Sequence, residues 1–332
     1  MAQVIRKPTI VDVARVAEVS TATVSRVLNG RRVTDPELVR RVRLAAAELH
    51  YRPSGTARSL KAGVTRLIGV VVPDLGNPSF SELLRGLADA AGTQDHRLLV
   101  ADAKESQDEE RALIQELALH CDGLVLCSPR LPLEELARFE VGPLVCTNRA
   151  VGDLSMSSAG VDSYAGMAAV VRHLAGLGHR HIGYLAGPPT SWSNAERQRA
   201  FGDAAASLRI RVSEAQAGST SDDGHRALPE LLAAGVSGVV AFNDLVAIGA
   251  LARLREEGLE VPGDISLAGF DDIPVAQFLA PPLTTVRLPT EEVGRHAWAL
   301  LRDQLERAGR HGTVRLPTEL VVRASTGAAA RT

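Results

Sequence analysis

The sequence predicts two kinds of structure in one chain: a small all-α head, followed by an α/β body made of two parallel-sheet lobes. The first 53 residues carry three short segments with helical periodicity, whereas the rest alternates apolar, β-branched runs with amphipathic stretches. The length of 332 residues exceeds that of one ordinary domain. Hydrophobic residues make up 45% of the chain and charged residues 23%, which excludes general disorder.

Charge is divided unevenly along the chain. The formal net charge is only -2, yet residues 1–66 hold thirteen Lys and Arg against five Asp and Glu. Their local charge is +8, and that of residues 67–332 is -10. A basic segment on an acidic body is expected where one end of a protein neutralises phosphates. Charge alone favours a merely solvated basic face over a phosphate-binding one.

Cysteine usage and apolar run lengths bear on the compartment. Three cysteines without metal-ligand spacing favour a reducing environment over a disulfide scaffold. The amino terminus has no apolar signal region, and no run approaches the roughly 18 residues that span a bilayer. We expect a cytoplasmic protein without membrane contact. The sequence also has no complete dinucleotide loop, phosphate-binding loop or GxSxG element, so we expect no enzyme activity, cofactor or metal.

The first two predicted helices are joined by a short turn. Thr9 and Asp12 have the spacing of a capping box, and apolar residues then recur at helical spacing to predict a helix near 10–17. After a three-residue break, Ser20 can cap a second helix that stops at Asn29–Gly30. Two helices separated by so short a turn form a helix-turn-helix.

The third predicted helix begins at Thr34 or Asp35 with a proline in its first turn, and its apolar residues complete a small core. The second helix is then free to face a ligand. It presents hydroxyl, methyl and guanidinium groups, which can contact base edges and phosphates in a DNA major groove. Any small three-helix bundle exposes similar residues, so a bundle without DNA binding remains the alternative.

The segment TIVDVARVAEVSTATVSRVLNG (residues 9–30), followed by HYRPS (50–54) and ARSL (57–60), closely resembles the DNA-binding head and hinge of the LacI/GalR family of bacterial transcription repressors. The resemblance implies that Thr21 and Ala22 are the base-reading pair and that Arg26 contacts a base or phosphate. The other implied DNA contacts are Thr9, Ser20, Thr23, Ser25, Asn29, Tyr51, Ser54, Ala57, Arg58 and Leu60. Glu18 replaces the usual glycine of the turn, which suggests mild strain or an altered turn.

Residues 54–65 form a linker with weak helical character between the head (residues 1–53) and the body (66–326). The family resemblance implies a hinge helix that folds only against DNA, paired with its twin from a second subunit. Leu60 would then be an apolar wedge inserted at the central base step, and its replacement by Ala would weaken operator binding. Packing of Leu60 against the third helix is the alternative.

The body contains two series of apolar runs that predict buried strands, with four strands in each series. They are residues 67–74, 97–103, 123–129, 143–148, 181–187, 212–218, 238–244 and 265–272. Ligands of such sheets bind beyond the carboxyl ends of the strands. Polar and charged residues follow several of these ends, so a cleft lined by hydrogen-bonding groups is expected.

The body also resembles the periplasmic-binding-protein-like effector domain of the same family. The shared motifs include NPSF (77–80), TNR (147–149), FND (242–244) and GFDD (269–272). The resemblance implies effector contacts from Asn77, Phe80, Asn148, Arg149, Trp192, Arg197, Asp244 and Asp272. These residue types suit a sugar or polyol, because they supply forked donors, acceptors and an aromatic surface. Residues 327–332 remain as a short tail.

Several of these side chains have alternative roles. Arg149 could form an ion pair between the lobes, and Asp244 could cap a helix. Phe80 could be an ordinary core residue. Trp192 could be a lid or surface residue, and Asp272 could support the wall of the cleft without touching the effector.

Together these resemblances imply a homodimeric, sequence-specific transcription regulator, most often a repressor in this family, on a near-palindromic operator. Its DNA affinity would change when a sugar or polyol closes the cleft. A purine or other non-sugar corepressor is the alternative effector, and a solute-binding protein is the alternative class. No leucine heptad follows the body, which favours a dimer over a tetramer.

Overall fold

The computed structural model describes residues 8–28, 35–51, 64–152, 154, 156–306 and 311–329. The chain divides into two compact units, Met1–Thr65 and Arg66–Thr332. Five predicted DNA contacts lie outside the described residues, and their roles stay predictions. They are Asn29, Ser54, Ala57, Arg58 and Leu60.

The described residues of the amino-terminal unit form three helices around one small core, as predicted. They are α1 (Ile10–Val16), α2 (Thr21–Leu28) and α3 (Pro36–Glu48). Each contributes a valine that is 0% exposed, namely Val13, Val24 and Val42. One core shared by three short helices explains their stability, because isolated helices of this length are marginal in water.

The starts of all three helices confirm the predicted caps. The Thr9 amide donates to Asp12 Oδ2 at 2.8 Å, and the Thr23 amide donates to Ser20 Oγ at 3.2 Å. Asp35 Oδ1 accepts from the amides of the second and third residues of α3 at 3.0 and 3.3 Å. Each side chain satisfies amide groups that have no partner within the helix.

The body contains two parallel sheets, which confirms the predicted α/β class. Its strands are β1 (Leu67–Val72), β2 (Arg97–Asp102), β3 (Gly123–Cys127), β4 (Leu144–Thr147), β5 (Ser157–Val161), β6 (His181–Ala186), β7 (Arg211–Gln216), β8 (Gly238–Ala241), β9 (Ser266–Ala268), β10 (Thr285–Arg287), β11 (Thr313–Leu316) and β12 (Glu319–Val321). Sheet A has the order β11-β5-β4-β3-β1-β2, and sheet B has the order β7-β6-β8-β9. Every pairing within these two sheets is parallel, whereas β10 and β12 form a separate antiparallel pair.

Helices connect and cover the strands. They are α4 (Pro78–Gly92), α5 (Gln107–Ala118), α6 (Leu133–Leu136), α7 (Ser163–Gly176), α8 (Trp192–Leu208), α9 (Ser221–Ala233), α10 (Asp244–Glu256), the 3-10 helix Pro274–Phe278 and α11 (Thr290–Glu306). Helices α4 and α11 approach closely at Gly86 and Gly294. A Cβ on Gly86 would lie 2.0 Å from the Glu291 carbonyl oxygen, and one on Gly294 would lie 2.2 Å from that of Leu83. Only glycine permits this approach.

Four of the described strands were not predicted from the sequence, namely β5, β10, β11 and β12. The composition of β5 explains why it was not recognised. Its sequence, SSAGV, has no apolar run, yet four of its five residues are buried. The fully buried Ser157 hydroxyl accepts a hydrogen bond from Gln304 Nε2 of α11 at 2.8 Å. Because that partner lies far along the chain, local hydrophobicity could not reveal the strand.

The predicted tail begins against the body. The Gly327 amide donates to Ser266 Oγ at 3.0 Å, and its carbonyl oxygen lies 3.1 Å from Nε2 of His179. The Ala329 amide donates to the Leu177 carbonyl at 2.9 Å. The described part of the tail therefore packs on the carboxyl-terminal half of the body.

Candidate functional site

The exposed face of α2 is the candidate DNA surface. Thr21, Ala22 and Arg26 are exposed, whereas Val24 and Val27 are buried on the opposite face. The remaining described residues of the predicted DNA set are accessible or half-buried: Ser20 is exposed, and Thr9, Thr23, Ser25 and Tyr51 are half-buried. The short hydroxyl and methyl groups at the start of α2 therefore lie beside a longer guanidinium on one helical face.

The turn before α2 keeps a left-handed residue although it lacks glycine. Glu18 has a φ of 50° and is exposed. A left-handed conformation costs an ordinary L-residue about 1–2 kcal/mol. The structure thus supports strain over an altered turn, because Glu18 itself adopts the conformation that glycine would take at low cost.

A cleft lies at the carboxyl ends of the strands of both sheets, as expected for parallel sheets. It contains about 490 Å³ of space, part of it open to solvent. Sheet A contributes Asp74, Asn77, Ser79, Phe80, Glu105, Ser128, Arg130 and Asn148. The remaining lining residues are Ser191, Ser193, Arg197, Ser219, Phe242, Asn243, Asp271 and Leu288. Most of these side chains carry hydrogen-bonding groups.

Arg197, on α8, is held at the cleft by contacts on several sides. Its Nη1 donates to the Phe242 carbonyl at 2.5 Å, and its Nη2 lies 3.4 Å from Asp271 Oδ1. The guanidinium lies 3.7 Å from the centre of the Phe270 ring, in a cation–π contact. Its side chain is 6% exposed. Arg197 Nε is buried and has no hydrogen-bond partner among the described residues.

Asp271, which follows β9, accepts a hydrogen bond from Asn77 of the first lobe and forms an ion pair with Arg197. Burial raises the pKa of its carboxyl to about 6, and the Arg197 guanidinium and a hydrogen bond from Asn77 oppose that shift. Asn77 caps α4 after β1, and its Oδ1 accepts from the Ser79 amide at 3.0 Å. A second contact between the lobes is a hydrogen bond. Ser193 Oγ, on α8, donates to the carbonyl of Asn148, which follows β4, at 3.2 Å.

The first lobe contributes a second arginine, Arg130, whose side chain is 5% exposed. Its Nε and Nη2 donate to the two carboxylate oxygens of Glu105 at 2.6 and 2.9 Å, and its Nη1 donates to the Ser128 carbonyl at 2.6 Å. The Arg130 amide donates to the buried carboxylate of Glu110 at 2.9 Å. Burial raises the pKa of Glu110, and these backbone donors oppose that rise.

Four cleft residues at strand ends have left-handed backbones although none is glycine. The φ angles are 56° at Glu105, 46° at Ser128, 48° at Asn148 and 120° at Asp271. Such conformations persist only where the surrounding structure enforces them, and they cluster at ligand sites. The strain therefore marks the rim where β2, β3, β4 and β9 end.

The structure brings four of the eight predicted effector contacts to the cleft: Asn77, Phe80, Asn148 and Arg197. Phe80 also packs against the hydrophobic core, so lining the cleft does not prevent it from being a core residue. Arg149, Trp192, Asp244 and Asp272 do not line the cleft. Trp192 is half-buried at the start of α8, between two serines that do line it.

Asp244, a predicted effector contact, lies outside the cleft lining. Asp244 is 0% exposed, and its Oδ1 accepts from the Thr285 hydroxyl at 2.6 Å. Its Oδ2 accepts from the Ile273 amide at 2.9 Å. Burial raises the pKa of this carboxyl to about 7, with Asp271 adding to the rise. Asp244 supports the wall from behind, and its neighbour Asn243 caps α10.

Asp272 and Arg149 are also absent from the cleft lining. Asp272 is paired with Arg287 at 2.8 Å and with Arg323 at 2.5 Å, which matches its alternative role as a wall support. Arg149 is half-buried, and its Nε has no hydrogen-bond partner among the described residues. No ion pair of Arg149 occurs in that part of the chain, so its alternative role between the lobes gains no support.

Sequence reasoning missed Glu105, Ser128 and Arg130 as cleft residues. Their position in the sequence could have indicated a place in the cleft, because each residue lies within three residues of the end of a strand. The carboxyl-end rule could have included them. It could not have paired Glu105 with Arg130, since the pair spans 25 residues.

Among the described residues, no group of three or more His, Cys, Asp or Glu side chains is placed to hold a metal ion. No helix in the same part of the chain has the length and apolarity needed to cross a membrane.

Comparison with protein families gives two matches. The model of the bacterial regulatory proteins of the lacI family matches residues 9–54, which include α1, α2 and α3. The model of the periplasmic binding protein-like domain matches residues 171–326. The two matches thus fall one on the helical head and one on the α/β body.

Relatives match along nearly the whole chain. The HTH-type transcriptional repressor CytR of Escherichia coli (strain K12) is 34% identical over 331 residues, covering 96% of each chain. The transcriptional regulator CelR in complex with cellobiose is 31% identical with a TM-score of 0.72, covering 96% of this chain and 99% of that one. The lac repressor dimer bound to operator and an anti-inducer is 27% identical with a TM-score of 0.83, covering 97% and 100%. This chain therefore belongs to the lacI family of bacterial regulatory proteins.

Proposed function

We propose that this chain is a repressor that binds a near-palindromic operator as a homodimer, and that a sugar or polyol in the cleft sets its operator affinity. Two polar atoms carry the effector half of this proposal. Arg197 Nε is a buried donor, and Asn148 Oδ1 is a buried acceptor, and neither has a hydrogen-bond partner among the described residues. Buried polar groups are nearly always satisfied. A ligand hydroxyl, which donates and accepts, suits such groups.

The DNA half is supported by the exposed face of α2. Thr21 and Ala22 would read base edges in the major groove, and Arg26 would contact a base or phosphate. The lac repressor structure, solved as a dimer on operator, supports this arrangement. A two-fold symmetric dimer presents two such heads, which is the reason for a near-palindromic site.

The effector class is supported by the chemistry of the lining. Arginine forks and carboxylates can bond hydroxyl groups, and the ring of Phe80 can pack on the apolar face of a sugar. Serine hydroxyls add partners that both donate and accept: Ser79, Ser128, Ser191, Ser193 and Ser219. The relative solved with cellobiose supports a sugar over a purine.

Contacts between the lobes offer a route from ligand to operator. Asn77 bonds Asp271, and Ser193 bonds the Asn148 carbonyl, so cleft residues from one lobe hold those of the other. A ligand that binds these residues stabilises one arrangement of the lobes by its differential affinity. We infer that the favoured arrangement changes how readily two heads engage the operator.

The chain acts, on this proposal, as a regulator and not as an enzyme, and it does so in the cytoplasm, where bacterial DNA lies. Its support is the membership of the family, whose relatives here are a repressor and a regulator of transcription. The matched head also favours a regulator over a solute-binding protein, since DNA reading needs that head.

Selection from random-sequence DNA duplexes tests the DNA half. The full-length protein should enrich a near-palindromic sequence, and Arg26→Ala should weaken binding to it by about tenfold or more. Arg40→Ala removes the same charge from an exposed pair with Glu37 on α3 and serves as the matched control. Failure to enrich any sequence, or equal losses in the two variants, would contradict the proposal.

A thermal-shift screen of sugars, polyols and nucleobases tests the effector half, because a saturating ligand stabilises the fold by mass action. A hit should also change operator affinity at saturating concentration. If hits stabilise the protein but leave operator affinity unchanged, the cleft is not regulatory.

A further inference from the structure

The charged side chains that line the cleft are almost all neutralised within it. The Arg130 guanidinium uses both edges, one for the two Glu105 oxygens and one for the Ser128 carbonyl. Arg197 lies 3.4 Å from Asp271 and also donates to the Phe242 carbonyl. Each lining arginine therefore already has an anionic partner and a carbonyl acceptor.

The remaining lining charge is acidic. The described lining residues include three acids and two arginines, and Asp74 is the acid left over. Its Oδ1 accepts from the Gly76 amide at 2.7 Å, and no arginine of the lining is paired with it. The formal charge of the lining is thus -1 when all five groups are ionised. An anionic ligand would meet net repulsion and would lose its hydration without gaining a free cation.

Three helices begin at the cleft, and their amino-terminal amides could in principle attract an anion. Each start is occupied by its own cap. Asn77 accepts from the Ser79 amide, Ser191 from the Asn194 amide and Asn243 from the Val246 amide, at 3.0, 3.2 and 2.8 Å. These caps use donors that a phosphate would need.

The Glu105–Arg130 pair is held in place by a strained turn. Lys104 and Glu105 are consecutive left-handed residues, with φ of 51° and 56°. The Glu105 amide donates to the Pro73 carbonyl at 2.7 Å, which fixes the turn against the end of β1. Two successive residues with left-handed backbones raise the free energy of the folded chain, and such conformations persist only where surrounding contacts enforce them. This turn therefore fixes the direction in which the Glu105 side chain points.

We propose that the cleft selects an uncharged, hydroxyl-rich ligand and rejects its phosphorylated form, and that the Glu105–Arg130 pair is the selecting element. Neutralised in place, Arg130 acts as a positioned donor and Glu105 as a neighbouring acceptor for ligand hydroxyls. The shared ligand chemistry is a set of vicinal hydroxyls, from a free sugar or from the ribosyl group of a nucleoside. This inference rests on the proposed effector function of the same cleft.

Matched ligand pairs test it on the full-length protein by calorimetry. The pairs are ribose with ribose 5-phosphate, glucose with glucose 6-phosphate, cellobiose with cellobiose 6-phosphate, and cytidine with cytidine monophosphate. We expect at least one uncharged compound to bind, and to bind about tenfold or more tightly than its phosphorylated partner. The sugar and nucleoside arms distinguish the two sources. Tighter binding of any phosphorylated member, or binding of no uncharged compound, overturns the proposal.

Glu105→Gln tests the selecting pair. The variant leaves Arg130 without its anionic partner, so the preference for the uncharged member should shrink by about tenfold or reverse. Glu109→Gln removes the same charge from an exposed position on α5 and should leave the preference unchanged. An unchanged preference in folded Glu105→Gln overturns the role of the pair. The native-protein comparison decides the ligand class even if that variant does not fold.

The outcomes separate this inference from the proposed function. If a phosphorylated compound binds and changes operator affinity, the ligand class is wrong and the regulatory function stands. If an uncharged compound is selected but operator affinity does not respond, the ligand class stands and the regulatory function fails.

Discussion

The head and the cleft use arginine in opposite ways. On α2, Arg26 is exposed and its Nε donates only weakly, at 3.4 Å, to the Ala22 carbonyl of its own helix. In the cleft, Arg130 and Arg197 have side chains 5% and 6% exposed, and each has a carboxylate partner. The guanidinium group on α2 is thus exposed and forms no ion pair with a carboxylate in the described part of the chain, whereas in the cleft it is buried and paired with a carboxylate.

This difference in exposure and pairing of arginine determines which ligands α2 and the cleft can bind. An exposed cation is available to a phosphate and releases counterions when it binds. A buried cation must be paired, because the cost of its desolvation exceeds what an unpaired site can return. A buried guanidinium that is paired with a carboxylate can still donate hydrogen bonds to hydroxyl groups, but the pair carries little net charge. The two regions should therefore respond differently to salt, to charge removal and to pH.

Salt should produce the largest contrast. Raising the salt concentration from 50 to 200 mM should weaken operator binding by about a thousandfold, if six or more phosphate contacts form. Binding of an uncharged ligand in the cleft should change by less than about twofold, because buried pairs are poorly screened. Fluorescence anisotropy of labelled operator and calorimetry of ligand would measure the two. A flat salt response of operator binding would remove the electrostatic account of the head.

Removing Arg197 should produce the next largest effect. Arg197→Ala leaves Asp271 buried without its cation, and the free energy of unfolding of the body should fall by about 3 kcal/mol. Binding of any cleft ligand should be lost as well. Arg199→Ala, on the exposed side of α8, should change stability by less than about 0.5 kcal/mol. Denaturant unfolding and calorimetry compare the two variants, and retained ligand response in Arg197→Ala would contradict the site assignment.

Asp244 should make the stability of the body depend on pH. Its pKa is raised to about 7 in the folded state from 3.8, so the native state holds a proton that the unfolded state releases. The resulting stability is fully present below pH 3.8 and is lost as pH rises through about 7. Each pKa unit corresponds to about 1.4 kcal/mol.

Asp244→Asn removes this titration and should flatten the decline in stability between pH 4 and pH 7, measured by denaturant unfolding. Asp222→Asn, at the exposed start of α9, is the control that should leave the slope intact. Equal slopes in the native chain and in Asp244→Asn would show that Asp244 is ionised throughout.

The turn at Glu18 should produce the smallest effect. Glu18→Gly relieves a left-handed backbone and should raise the free energy of unfolding of the head by about 0.5–1 kcal/mol, offset in part by the flexibility of glycine. It also removes a negative charge that could repel a nearby phosphate. Calorimetric melting of the full chain would resolve the head transition, and destabilisation by Glu18→Gly would contradict the strain.

Prediction from sequence succeeded where the signal was local. The caps at Thr9, Ser20 and Asp35 lie within three residues of their partners, and each helix begins where its cap predicts. The eight predicted strands correspond to β1–β4 and β6–β9. The inner strands β1, β3, β4 and β8 are almost wholly buried and continuously apolar. The prediction of burial was wrong for β2 and β7, which lie at the sheet edges and are mostly half-buried or exposed. The cleft position followed from the same rule, since ligands of parallel sheets bind beyond the carboxyl ends.

Prediction failed where partners lie far apart in sequence. The carboxylates of GFDD divide their roles: Asp271 lines the cleft beside Arg197, whereas Asp272 pairs with Arg287 and Arg323. Both follow β9 at neighbouring positions, and their left-handed φ angles of 120° and 58° set where each side chain points. No periodicity in the sequence distinguishes them.

By itself the sequence determined the helical head, the two-lobed α/β class, the division of charge and the edge where a ligand binds, because periodicity, caps and composition are local properties. Only the tertiary structure decided which charges neutralise one another. Glu105 meets Arg130 across 25 residues, and Arg197 meets Asp271 across 74. Such pairs form only after the sheets bring strand ends together, so the electrostatic character of the cleft is a property of the folded chain.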